Sequence, residues 1–146
     1  MHKKRRMCMW ILLSLVAVLA IGLCMAMRVD SPNRKEASQL QFAQVQFSNL
    51  KDGTYVGQWN GSTSHVRDTK VEVEIADGKV AHFKILKGAV GKDGQPVKLS
   101  KGRTIEELFQ AVVDQQSLAV DVISGATVTS KTHLKAFENA LVQAGQ

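Results

Sequence analysis

Residues 70–86 read KVEVEIADGKVAHFKIL, and this stretch decides the fold. Val71, Val73 and Ile75 alternate with Glu72 and Glu74, the period of a strand with one dry and one wet face. From Val80 to Leu86 the alternation resumes, with Ala81, Phe83 and Ile85 on one face and His82 and Lys84 on the other. Asp77-Gly78 between the two runs marks a hairpin turn. A two-residue loop pairs Val73 with His82 and Val71 with Lys84, which mixes the faces. A three-residue loop, Ala76-Asp77-Gly78, pairs Val73 with Ala81 and Val71 with Phe83 and keeps one face apolar. The three-residue register is therefore expected.

Outward from the hairpin, Lys51-Asp52-Gly53 is a turn, and Thr54–Trp59 reads as a first strand that Asn60-Gly61-Ser62 breaks. On the other side, Gly88–Arg103 holds four glycines, one proline and four basic residues, which predicts a mobile loop or a distorted hairpin. Thr104-Ile105-Glu106-Glu107 has the form of a capping box. The helix it opens carries Ile105, Leu108, Phe109, Val112 and Val113 on one stripe. A second helix is expected from Thr129 or Ser130, with Leu134, Phe137, Leu141 and Ala144 buried. Strands first, then helices, predict an α+β domain over 51–146: a small, mostly antiparallel sheet with two helices packed on it.

Charge is distributed unevenly. Of the 19 basic residues, Lys3, Lys4, Arg5, Arg6 and Arg28 precede every acidic one, and the chain beyond them is almost neutral. The basic character belongs to the N-terminus, and nucleic acid is not an expected partner. Cys8 and Cys24 are about 24 Å apart on a helix, too far to bridge. The rest of the chain has no cysteine, so neither a disulfide framework nor a thiolate metal site is available there. His65 and His82 lack partners at metal-ligand spacing.

Met7–Met27 is uncharged and long enough to span a bilayer once, which predicts a transmembrane helix before the domain. The basic segment 1–6 predicts a cytoplasmic N-terminus and an extracytoplasmic body on the cell membrane. An uncleaved anchor is favoured over a signal peptide, because Cys24-Met25-Ala26 is too bulky for a good cleavage site. Residues 28–50 read as a tether that opens on the turn signal Asp30-Ser31-Pro32-Asn33. Its apolar residues fit two patterns: Leu40, Ala43, Phe47 and Leu50 a helix, Leu40/Phe42 and Val45/Phe47 a strand.

The chemistry lies between the helices, in Asp121-Val122-Ile123-Ser124-Gly125-Ala126-Thr127. Gly125 and Ala126 permit close approach to the backbone, and a hydroxyl just before a helix faces free N–H groups that favour a phosphate. From the spacing alone, Thr127 or Thr129 reads first as a helix cap. Tyr55 and Trp59 could flank a ring or fill the core, and Lys92, Lys98, Lys101 and Arg103 could meet an anion or only solvent.

Asp121-x-x-Ser124-Gly125-Ala126-Thr127 resembles the flavinylation motif of the FMN-binding domain family. The resemblance extends over 51–144, including Asp52-Gly53-Thr54-Tyr55, Asp77-Gly78-Lys79-Val80, Gln116-Ser117 and Thr129-Ser130. It implies FMN joined through its phosphate to Thr127 by a Mg-dependent flavin transferase that cleaves FAD. Asp121, Ser124, Gly125 and Ala126 match the part of the motif that the transferase reads. For Asp121 two roles stand, service in the modification or capping of the loop. The implied function is electron relay from a membrane dehydrogenase or quinone-linked donor to an extracytoplasmic acceptor, without a substrate reaction of its own. The alternatives are a flavin subunit of a multi-subunit ion-pumping complex and a flavin-free binding or regulatory module.

Overall fold

The computed structural model describes the backbone of residues 2–146 and, within the first helix, the side chains of 10–25 and 32–38. The elements are α1 (His2–Ser38), β1 (Gly53–Trp59), β2 (Thr69–Ala76), β3 (Lys79–Lys87), a short 3-10 turn (Ser100–Gly102), α2 (Ile105–Gln115) and α3 (Thr127–Ala144). The strands form one antiparallel meander in the order β1-β2-β3, and the domain is α+β as expected.

The hairpin register differs from the expectation. Ala76 pairs with Lys79 and Ile75 with Val80, so the loop is the two-residue Asp77-Gly78. Both loop residues have positive φ (52° and 72°), as a type I′ turn requires. The mixing of faces is avoided by an irregularity between Glu74 and Ile75, beyond which Val73 faces Phe83 and Val71 faces Ile85; a second one, past Val71, sets Lys70 opposite Lys87. A bulge inserts a residue and restores alternation. Ala81 is accordingly exposed, while Val80 turns toward the core.

Val71, Val73, Ile75 and Ile85 bury one sheet face under α2 and α3, and Phe83 packs edge-on against Phe109 and Phe137. Trp59 is buried among them and Tyr55 packs at their margin. Thr104 caps α2 by accepting from the Glu107 N–H at 3.2 Å, and the expected stripe of that helix is the buried one. The expected stripe of α3 is buried too, but so are Ser130, Thr132, His133 and Glu138. Gly57 explains how α3 comes so close to β1: a Cβ there would lie 1.9 Å from the Ala136 carbonyl oxygen. Asn139 and Gln143 then donate to the Gln58 and Val56 carbonyls, covering part of the β1 edge.

α1 runs through Pro32 and ends only at Ser38, so the expected turn at 30–33 does not form. Residues 39–52 have no regular structure. Leu40, Phe42, Val45, Phe47 and Leu50 nevertheless pack on the core, an extended strap along α3. The Glu138 carboxylate, almost wholly buried, accepts from Ala43 N–H at 3.2 Å and from Lys135 Nζ at 2.8 Å. Lys135 also donates to the Gln41 carbonyl. The basic segment 1–6 and both ends of the expected span 7–27 fall outside the described side chains. Among the described residues no helix is long and apolar enough to cross a membrane.

Candidate functional site

α2 ends on Gln116 in the left-handed conformation, and the Ser117 N–H returns to the Val112 carbonyl. Buried Leu118 and Ile123 then pin the connection to the core. The Ala126 N–H donates to the Ile123 carbonyl at 2.9 Å, closing a β-turn with Ser124 and Gly125 at its exposed tip. Gly125 has φ +80°, the value that the third position of a type II turn demands. A Cβ there would be strained and would meet Ser100 Oγ at 2.9 Å, so glycine serves both the turn and its contact.

Ser130 holds the turn from below. Its buried hydroxyl donates to the Ala126 carbonyl at 2.9 Å and accepts from the Ile123 N–H at 3.2 Å. One side chain thus satisfies both ends of the segment carrying Ser124 and Gly125. α3 begins at Thr127, earlier than the expected Thr129 or Ser130. The cap position falls on Ala126, and no side chain caps the helix. Neither Thr127 nor Thr129 takes the capping role that spacing alone allowed. Thr127 instead occupies the first helical position, exposed, where the N–H groups of the opening turn have no helical acceptor.

Ser124, Gly125, Ala126 and Thr127 are therefore brought together as one turn running into one helix start. Asp121 is exposed three residues earlier, with no hydrogen-bond or ion-pair partner among the described residues. The exposed hydroxyl, the uncapped N-terminus and a tip without bulky side chains fit a phosphate ester. Lys131, one turn along α3 on the side of Thr127, adds a cation.

Of two cavities near this region, Thr127 lines neither. One of about 230 Å³ lies between the sheet end and α3, lined by Arg67, Gly88, Val97, Thr129, Thr132 and His133. Arg67 Nη1 approaches Thr129 Oγ1 at 3.5 Å in its wall. His133 is buried, donates from Nδ1 to the Thr129 carbonyl at 2.7 Å and accepts at Nε2 from the Ala89 N–H at 2.9 Å. Burial holds its pKa down at about 4, against the opposing effect of the Thr129 carbonyl. Asp68 is buried beside this cavity. Desolvation raises its pKa, but bonds from Lys87, the Gly61 N–H and His65 outweigh that and leave it below the usual carboxylate range. The second cavity, an open groove of about 860 Å³, runs between residues 41–47 and 116–119.

Sequence reading placed Ser130 at the helix start but not as the support of the turn, and missed Lys131 and His133 as parts of this region. Only Ser130 carried a signal, as a hydroxyl three residues after the motif; the other two depend on tertiary contacts. Tyr55 and Trp59 pack on or in the core, and His65 and His82 are exposed.

A crystal structure of the CPE2226 protein from Clostridium perfringens resembles this chain with a TM-score of 0.49 at 26% identity, over 66% of this chain and 89% of that one. The family model described as the FMN-binding domain matches residues 65–142, a range that holds β2, β3, α2, all but the last two residues of α3 and the whole Asp121–Thr127 connection. With more than half its length matched, the chain belongs to the FMN-binding domain family.

Proposed function

We propose that the protein is an exported, membrane-anchored flavin carrier with FMN joined through its phosphate to Thr127. The observation that carries the reading is the exposed Thr127 hydroxyl at the first position of an uncapped helix, straight after the Ser124-Gly125 turn. In the attachment step the phosphoanhydride bond of FAD breaks, the Thr127 oxygen bonds to the phosphorus of the FMN half, and AMP leaves with the hydroxyl proton. Thr127 acts there as the acceptor, and a separate Mg-dependent flavin transferase supplies the catalysis. Once bound, the flavin supplies one- and two-electron redox chemistry. The turn and Ser130 fix where the tethered group starts, and the α3 N-terminus faces its phosphate.

The membrane part rests on α1. Between Trp10 and Met25 the large apolar side chains are 58–70% exposed, from Val16 and Ile21 to Trp10 and Val18. A continuous apolar surface of this kind needs cover, and the uncharged run Met7–Met27 suits a lipid bilayer. The helix continues past Met27 to Ser38, a further rise of about 16 Å. Glu36 accepts from the Ser62 N–H and hydroxyl, and those bonds hold its pKa down. The domain would thus ride on a helical spacer, with Thr127 close to the membrane-facing end. Electrons would come from a membrane dehydrogenase or quinone-linked donor and pass to an extracytoplasmic acceptor. Co-expression with a flavin transferase should give a fluorescent band that survives denaturing electrophoresis and fractionates with membranes. A dark band despite an active transferase contradicts the attachment.

A further inference from the structure

We propose that Lys131 is the counter-charge of the phosphate on Thr127, and that this phosphate competes for it with the C-terminus of α1. The inference rests on the attachment proposed above. Thr127 and Lys131 are four residues apart on α3, so their side chains are neighbours on one flank, with β-carbons roughly 5–6 Å apart. Lys131 Nζ donates to the Ser38 carbonyl at 3.1 Å. Ser38 is the last residue of α1, where carbonyls lack helical partners and the negative end of the helix dipole lies. The ammonium therefore serves as the C-terminal cap of α1.

A phosphodiester on Thr127 brings a full negative charge within reach of the same ammonium. A bond between two ions is stronger than one from an ion to a neutral carbonyl, so the phosphate takes Lys131 from Ser38. Two other cations beside α3 are engaged elsewhere. Lys135 is held by Glu138 and the Gln41 carbonyl, and Arg67 lies on the other flank, against Thr129. Flavin loading is thereby signalled to the junction between the domain and its helical spacer. The Gln39 and Leu40 amides report on that junction, since they bond to carbonyls in the last turn of α1.

The test is hydrogen exchange at Gln39 and Leu40 in the detergent-solubilised full chain, with and without FMN on Thr127. A parallel arm compares Thr127→Glu with Thr127→Ala, which installs an anion without any transferase. Loading, or the glutamate, should speed exchange at these amides about two- to fivefold, the effect of losing a cation at a helix C-terminus. In Lys131→Gln exchange should already be fast and should no longer respond to either anion. Unchanged or slower exchange on adding the anion overturns the proposal, as does a response that persists without Lys131. If no FMN can be loaded, the attachment fails and the glutamate arm alone decides the role of Lys131.

Discussion

The Ala89 N–H donates to Nε2 of His133 at 2.9 Å, joining the chain just beyond β3 to the first half of α3. Because Nε2 accepts, the ring proton is on Nδ1, where it donates to the Thr129 carbonyl. Gly88 makes room for the ring: a Cβ there would lie 2.5 Å from Nε2. The neutral form is thus built into the fold, with a pKa of about 4 against 6.5 for the free side chain. A depressed histidine pKa means that the unfolded chain binds the extra proton first. The stability contributed by neutral His133 is complete above pH 6.5 and is lost as pH falls toward 4. The loss is on the order of 3 kcal/mol across that window. Urea midpoints measured from pH 7 to pH 4 should fall accordingly, and His133→Gln should flatten the part of the slope due to this residue.

Gly57 is a second point where the backbone leaves no freedom. Gly57→Ala would press a methyl group against the backbone of Ala136 and Ala140, neither of which can rotate away. The variant should lose about 1–3 kcal/mol or more, as overpacked cores do. Denaturant melts at neutral pH check it, and an unchanged midpoint means that α3 does not lie so close to β1.

The turn before Thr127 depends on Ser130. Ser130→Ala leaves the Ile123 N–H without its acceptor in a buried place, which should cost about 1–3 kcal/mol. Flavin loading should fall as well, although Thr127 is untouched. Stability is read from melts and loading from intact mass, so a loss of stability with full loading would show that the turn geometry is not needed for modification.

Gly125→Ala should also reduce loading. The substitution forces a β-carbon into left-handed backbone beside Ser100, a strain of roughly 1–2 kcal/mol. Adding Ser100→Gly removes the contact but not the backbone strain, and should recover only part of the loss in a loading assay.

What was legible in the sequence is what depends on local pattern. The alternation of Val71, Val73 and Ile75 announced β2, and Thr104 with the stripe from Ile105 to Val112 announced α2. The hairpin register was not legible, because it turns on a bulge beside Ala81 that no periodicity encodes. The start of α3 was misplaced for a related reason. Thr129 and Ser130 have the chemistry of caps, yet the helix starts before them on Ala126, which has no capping side chain. The strap 39–52 fits neither regular pattern, since its apolar residues are ordered by contact with α3 and the core. The candidate site was read from the Asp121–Thr127 motif, whereas its supports appear only in three dimensions: Ser130 by its bonds to the Ile123 N–H and Ala126 carbonyl, Lys131 by its bond to the distant Ser38 carbonyl.

The most direct test of the account is intact-protein mass after co-expression with a flavin transferase, for the parent chain, Thr127→Ala and Thr129→Ala. The parent and Thr129→Ala should each gain the mass of one FMN less one water, and Thr127→Ala should gain nothing. A full adduct on Thr127→Ala, or its loss only in Thr129→Ala, would contradict the assignment of Thr127.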